Sequence, residues 1–196
     1  MKRGDYLLIQ FGHNDMKENW PQTYVEASTT YKAYLKVFIA EVRRRGATPV
    51  LVTPMQRRQF DGAGKIRNSL GDYPEAMRQT AREENVALID LNAMSVAFYE
   101  ALGPAKSTLA FADNGRDATH HSPCGAYELA KCVVEAIRAE AVRAEGLHAT
   151  HFDLAQHLNG DAAHFDPAHP DPPESWSLPL DPQFQARPAR ETPRGN

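Results

Sequence analysis

The sequence predicts an α/β protein in which a parallel sheet is covered by helices on both faces. Three observations carry this expectation. Short apolar runs, each too brief for a helix, alternate with longer segments whose apolar residues recur at helical spacing. Polar residues gather where the first apolar run ends, which in sheets of this kind is where ligands bind. The chain's 196 residues, 42% hydrophobic and 24% charged, suit one ordinary core with an appendage.

The elements follow in order. Tyr6 to Phe11, Pro49 to Val52 and Val86 to Leu91 read as strands buried on both faces. Between the first two, Tyr31, Leu35, Phe38, Ile39 and Val42 form a helical stripe ending at Arg43-Arg44-Arg45-Gly46, cations and a glycine standing where a helix should stop. Tyr24, Tyr31, Tyr34 and Phe38 share that spacing and read as core aromatics. Tyr73 to Glu84 is a second helix with Pro74 near its start. A third is announced by Ser122 as cap and Pro123 in the first turn, carrying Leu129, Val133, Val134 and Ile137 toward Val142. Strand and helix thus alternate three times, the signature of a parallel sheet. Residues 1–146 are expected to form this domain, and residues 147–196 a C-terminal extension. From about residue 162 the extension holds eight of the fourteen prolines, so it is expected to be extended or disordered and dispensable for folding.

Charge and composition narrow the partners. A net charge of −3 and a pI near 6.2 give no basic field for nucleic acid or an anionic membrane. No apolar stretch reaches the roughly 18 residues of a membrane span, and the opening apolar run is too short for a secretory signal, so the cytoplasm is the default compartment. Cys124 and Cys132, eight residues apart on one helix, sit about 12 Å apart, beyond the reach of a disulfide. His148, His151, His157, His164 and His169 form no compact ligand set, and neither a metal nor a cofactor is expected.

Two stretches carry chemistry. In "DATHHS", Asp117 stands three residues before His120, close enough for the carboxylate to hold one imidazole nitrogen while the other acts as a general base. His121 can do the same, and spacing does not choose between them. In "QFGHND", the Asn14 amide is a neutral donor suited to a developing oxyanion, Gly12 permits close backbone approach, and His13 completes the turn. Arg57 and Arg58 follow the second strand at the same edge. They read either as an exposed loop pair, the favoured reading, or as partners for the carboxylates of an anionic substrate.

These residues resemble the SGNH, or GDSL, hydrolases, and within them the rhamnogalacturonan acetylesterase-like branch. "IQFGHND" resembles that family's third sequence block and "DATHHSPCGAYELA" its fifth. "TYVEASTTYKAYL", "LVTPMQRRQFD" and "NSLGDYPEAMR" extend the likeness from Gly4 to about Ile137. The resemblance implies a three-layer α/β/α fold, no cofactor, and a carboxylic-ester hydrolase that deacetylates a pectic polysaccharide, rhamnogalacturonan first among them, or a small ester. It implies His120 as base, Asp117 as its orienting partner and Asn14 as an oxyanion donor. Under it, the carboxylates open to Arg57 and Arg58 would be those of a galacturonate backbone.

The family's nucleophilic serine lies in a Gly-Asp-Ser block ahead of the strand that ends in "FGHND". None of the seven serines here (Ser28, Ser69, Ser95, Ser107, Ser122, Ser175 and Ser177) follows Gly-Asp at the end of an apolar run. Ser122 is nearest the motif, but its hydroxyl serves as a helix cap. The expectation is therefore an N-terminally truncated fold, inactive as written, whose first strand exposes an edge open to self-association. A longer N-terminus with a signal would make the protein secreted or periplasmic. The alternative reading is a nonenzymatic remnant or carbohydrate-binding domain.

Overall fold

Val50, Leu51 and Val52 are all buried yet belong to two different cores, as the two-residue period of a strand between two helical layers requires. The computed structural model describes residues 1–146, 153–159 and 163–177. Its sheet has three parallel strands in the order β1 (Tyr6–Ile9), β2 (Thr48–Val52), β3 (Ala87–Ile89), with Tyr6 opposite Thr48 and Val50 opposite Ala87. On one face, Ile9 and Leu51 meet α1 (Lys32–Arg44) and α2 (Tyr73–Glu84) through Leu35, Ile39, Met77 and Ala81. On the other, Val50, Val52 and Ile89 meet α3 (Leu91–Lys106) and α4 (Pro123–Gly146) through Phe98, Leu102, Leu129, Cys132 and Ile137. The expected three-layer α/β/α arrangement is present.

Each end of an element has a local cause. The helical run of α1 is preceded by one π-turn (Ala27–Tyr31), capped by Glu26, whose carboxylate accepts from the Thr29 and Ser28 amides at 2.7 and 3.1 Å. Ser122 caps α4 as expected, accepting from the Gly125 amide at 3.2 Å. Asn85 ends α2 in the left-handed region, φ 49°.

Helix α3 was not expected. Asp90 stops the third strand two residues early, because its carboxylate accepts the Ala93 amide and caps a new helix. Leu91, Ser95, Phe98, Tyr99 and Leu102 then line its buried side. Gly103, at φ 70° just before Pro104, breaks the helical backbone there.

Among the described residues the first strand is paired on one side only, by β2. Leu8 lies on the α3 and α4 side of β1 but is 44% exposed, since those helices cover β2 and β3 rather than β1. Phe11, Tyr34, Val37 and Phe38 are also exposed beside that edge. Tyr34 and Phe38 are therefore not the core residues their spacing suggests, and Phe38 instead meets the Phe11 ring with centroids 5.2 Å apart. Only Tyr31 of that aromatic set is fully buried.

The C-terminal extension is less separable than its composition implies. Residues 147–152, where the boundary was drawn, lie outside the described residues, but 153–159 and 163–177 pack onto the domain. Leu154, Leu158 and Phe165 join the α3 and α4 core. Trp176 lies on the Tyr127 ring at 5.7 Å, and Lys106 pairs with Glu174 at 3.0 Å. Lys131 is the hub of this contact. Its ammonium sits 4.2 Å from the centre of the Phe165 ring and 2.8 Å from both Asp171 Oδ2 and Glu128 Oε1. Glu128 is wholly buried, and desolvation pushes its carboxyl above the usual range. The Lys131 charge opposes that shift, although Oε1 receives no well-directed hydrogen bond. The described part of this segment is not idle.

Removing one partner of a buried ion pair costs about 3 kcal/mol or more, so Lys131→Met should lower the thermal midpoint by roughly 6 to 12 °C, at about 2 to 4 °C per kcal/mol for a chain of this size. Ending the chain after Gly146 should lower it in the same direction. The double change Glu128→Gln with Lys131→Met should recover much of the loss, and calorimetry of the three variants checks this.

Candidate active site

The "GHND" turn begins where β1 has ended. Gly12 has φ 133°, which other residues rarely adopt, and a Cβ there would meet the Pro54 ring at 2.9 Å. Its amide donates to Asp15 Oδ2 at 2.9 Å. The Asp15 carbonyl in turn accepts from the Val25 amide at 3.0 Å and the Tyr73 hydroxyl at 3.2 Å, so the turn is anchored at both ends. Between these anchors Asn14 faces solvent. Its Oδ1 accepts from Lys17 Nζ at 2.8 Å, which engages the acceptor end of the amide and leaves the Nδ2 donors unbonded among the described residues. An ammonium on the carbonyl end also polarises the amide and strengthens those donors.

The "DATHH" loop precedes α4. Asp117 Oδ2 lies 2.7 Å from His120 Nδ1, while Oδ1 accepts the Thr119 and His120 amides at 2.7 and 3.0 Å. The His120 amide and ring, with the Thr119 amide, hold the Asp117 carboxyl at about 2, so it stays ionised and fixes the imidazole with Nε2 outward. The His120 side chain is 78% exposed.

His121 differs in every respect. Its Nε2 meets the Tyr99 hydroxyl at 2.7 Å, and its ring lies against Phe111 at 4.5 Å and Tyr99 at 5.9 Å. Burial, then the nearby charges of His13 and His120, push it down to about 4. It is neutral and structural, which geometry reveals and spacing did not.

Arg57 and Arg58 join the two loops. Arg57 donates through Nη2 to the His13 carbonyl at 3.1 Å and through Nη1 to the Ser69 carbonyl at 2.8 Å. Arg58 donates through its amide to the Ala118 carbonyl at 2.9 Å and through Nη2 to the Gly115 carbonyl at 2.5 Å. Both are partly buried. They are neither an exposed loop pair nor free to bind a substrate carboxylate. Their effect is to bring the two loops together, and the electrostatic coupling of His13 to both His120 and His121 reflects that proximity. Burial, then the Arg57 charge, hold the His13 imidazole below its ordinary value.

The serines do not complete the pair within this frame. Six hydroxyls already donate locally: Ser28 to Glu26, Ser69 to Gln56, Ser95 to Asn92, Ser107 to Pro104, Ser122 to Leu109 and Ser175 to Pro172. Ser177 lies on the segment laid along α4. A cavity of about 500 Å³, lined by Arg3, Gly4, Tyr6, Gly46, Thr48, Asp153 and His157, opens at the opposite ends of β1 and β2 and holds none of the site residues. His164 and His169 pair with Glu135 and Asp166, and His148 and His151 lie outside the described residues.

Because His121 titrates near 6.5 when unfolded and near 4 when folded, the unfolded chain binds the extra proton between those values, and stability should fall as pH drops from 6.5 to 4. Over that window the thermal midpoint of His121→Phe should depend less steeply on pH than that of the parent. Thermal melts at half-unit steps check this.

Comparison with known proteins gives the family. Residues 1–173 match the family model of the GDSL-like Lipase/Acylhydrolase family. The chain is 44% identical over 146 residues to rhamnogalacturonan acetylesterase RhgT of Bacillus subtilis, covering 69% of this chain and 61% of that protein. It is 45% identical over 136 residues to the probable rhamnogalacturonan acetylesterase YesY of the same organism, covering 68% of this chain and 62% of that one. The chain thus spans a little over three fifths of the length of these relatives. The crystal structure of protein YxiM of Bacillus subtilis superposes with a TM-score of 0.64 at 29% identity, covering 72% of this chain and 38% of that one. With residues 1–173 matched by one family model and two relatives 44% and 45% identical over about two thirds of the chain, the chain belongs to the GDSL-like lipase/acylhydrolase family, on its rhamnogalacturonan acetylesterase-like branch.

Proposed function

We propose that this chain carries the base and oxyanion portions of an acetylesterase site for acetylated polysaccharide, with rhamnogalacturonan as the substrate. The observation that carries the reading is the Asp117–His120 pair at 2.7 Å, joined to the Asn14 turn through Arg57 and Arg58. The two Bacillus subtilis relatives support the choice of substrate. In this reading a serine hydroxyl gives its proton to His120 Nε2 as its oxygen attacks the acetyl carbonyl. Asn14 Nδ2 donates to the resulting oxyanion, and His120 passes the proton to the departing sugar oxygen. Water then repeats the sequence on the acetyl-serine and releases acetate. Asp117 stays ionised throughout and stabilises the imidazolium.

None of the seven serines stands in a Gly-Asp-Ser setting, so we read the 196 residues alone as inactive. Acetate release from acetylated rhamnogalacturonan should stay at background. A protein that places a Gly-Asp-Ser strand and turn ahead of β1 should gain turnover. In that protein His120→Ala should cost on the order of 10⁶-fold, and Asn14→Ala about 10² to 10³-fold. Acetate release by the 196 residues that His120→Ala abolishes would locate the nucleophile within them. No gain from the added serine would favour the nonenzymatic reading.

The free edge of β1, with Leu8, Phe11 and Val37 exposed beside it, also supports self-association. Light scattering should show a dimer or larger species whose mass falls on Val37→Lys, and a concentrated monomer would overturn this.

A further inference from the structure

We infer that Trp20 and Lys17 form the sugar subsite of this active site: the indole takes the C–H face of a pyranose ring, and the ammonium takes the carboxylate of a uronic acid. The inference rests on the esterase reading above and adds the element that would hold the sugar.

Trp20 is 56% exposed, although burying an indole is among the larger hydrophobic gains open to a chain. A lone exposed aromatic needs no explanation, but this one is held in place. The Trp20 amide donates to the Lys17 carbonyl at 2.8 Å, and its own carbonyl accepts the Thr23 and Tyr24 amides, both at 2.9 Å. The Thr23 hydroxyl reaches back to the Trp20 and Asn14 carbonyls at 3.3 and 3.4 Å. The loop backbone is therefore fixed on both sides of Trp20 and tied to the oxyanion turn, which lowers the ordering cost of binding there.

Position makes the second argument. Lys17 Nζ stands 2.8 Å from Asn14 Oδ1 and 5.3 Å from the centre of the Trp20 ring. These two distances limit the gap between the ring centre and Asn14 Oδ1 to about 8 Å, the span of one sugar ring and the acetyl group it carries. A sugar whose acetyl carbonyl meets Asn14 is thus within reach of the Trp20 face that Lys17 leaves open. Aromatic rings with one apolar face and a polar neighbour suit such ligands.

Charge makes the third. Lys17 is exposed, and the only hydrogen bond of its ammonium among the described residues goes to the neutral Asn14, so the charge has no carboxylate partner there. Arg57 and Arg58, the other cations at this edge, are engaged by carbonyls. Lys17 is accordingly the cation open to a uronate.

The chain has two tryptophans, Trp20 and Trp176, so Trp176→Phe leaves Trp20 as the single indole reporter. Titrating that variant with acetylated rhamnogalacturonan oligosaccharide should shift Trp20 emission to the blue, and acetylated xylo-oligosaccharide should bind at least fivefold more weakly. By calorimetry on the full chain, Trp20→Ala should weaken binding at least tenfold and Trp20→Phe less than threefold. Carboxyl-reduced rhamnogalacturonan oligosaccharide should bind the parent about fivefold more weakly than the native one, and Lys17→Met should bind the two equally. Binding that survives Trp20→Ala unchanged, with constant Trp20 emission, overturns the subsite and leaves the esterase reading standing. A parent chain that binds no acetylated oligosaccharide of either class overturns both.

Discussion

Two adjacent arginines hold this site together. β2 is the central strand, and the chain leaving it reaches Arg57 and Arg58 within a few residues. Arg57 takes the carbonyl of His13 after β1, and Arg58 takes those of Gly115 and Ala118 before α4. Residues about a hundred positions apart in sequence are thereby fixed to one point on the sheet. Guanidinium suits the task because its donors form a rigid planar fork that can satisfy several carbonyls at once. Burial pulls the Arg57 guanidinium below its usual range, and the His13 and Ser69 carbonyls that accept from it offset part of the cost of burying the charge.

The same edge is braced one layer deeper. The Thr53 hydroxyl donates to Asp90 Oδ1 at 2.8 Å and accepts the Asn92 amide at 2.8 Å, while Arg78 grips both Asp90 oxygens at 2.9 Å. These contacts tie the exit of β2 to the exit of β3 and the start of α3. Asp90 is drawn up by desolvation, but Arg78 and Thr53 win, so its carboxyl lies below the usual range. A charged cap in this position orders the strand ends from which the site loops depart, and a loop can hold a side chain accurately only when its base is ordered.

The strands and helices α1, α2 and α4 were legible because each is a run of one period bounded by its own punctuation: Gly46, Pro74, and Ser122 with Pro123. Helix α3 was missed because its first residues continue the apolar run of β3, and only Asp90, read as a cap, divides the two. That omission had a consequence at the site. Tyr99, which claims His121, sits on α3 at a separation of 22 residues, so nothing local distinguished His121 from His120. The roles of Arg57 and Arg58 were illegible for a related reason, since their partners are backbone carbonyls reached through the fold. The C-terminal segment misled by composition: prolines exclude regular structure, but Phe165, Asp171 and Trp176 need none to dock on Tyr127 and Lys131.

Exposure decides what the site can do as described. A hydrogen bond to a developing oxyanion is strong where water is excluded and weak where water competes for both partners. Asn14 faces solvent and the His120 side chain is 78% exposed, so their geometry is set while their dielectric surroundings are not. Under the esterase reading, a nucleophile alone does not complete this centre. The element that brings the serine to His120 Nε2 has also to cover Asn14, or the oxyanion gains little over its stability in water. Trp20, on the loop tied to Asn14, shields one side when a sugar lies on it, so under that reading substrate binding itself removes part of the water. The open edge of β1 borders the other side, and any strand paired there extends the sheet toward the Gly12 turn. Substrate on one flank and chain on the other are together what this arrangement of groups requires before its charges act at full strength.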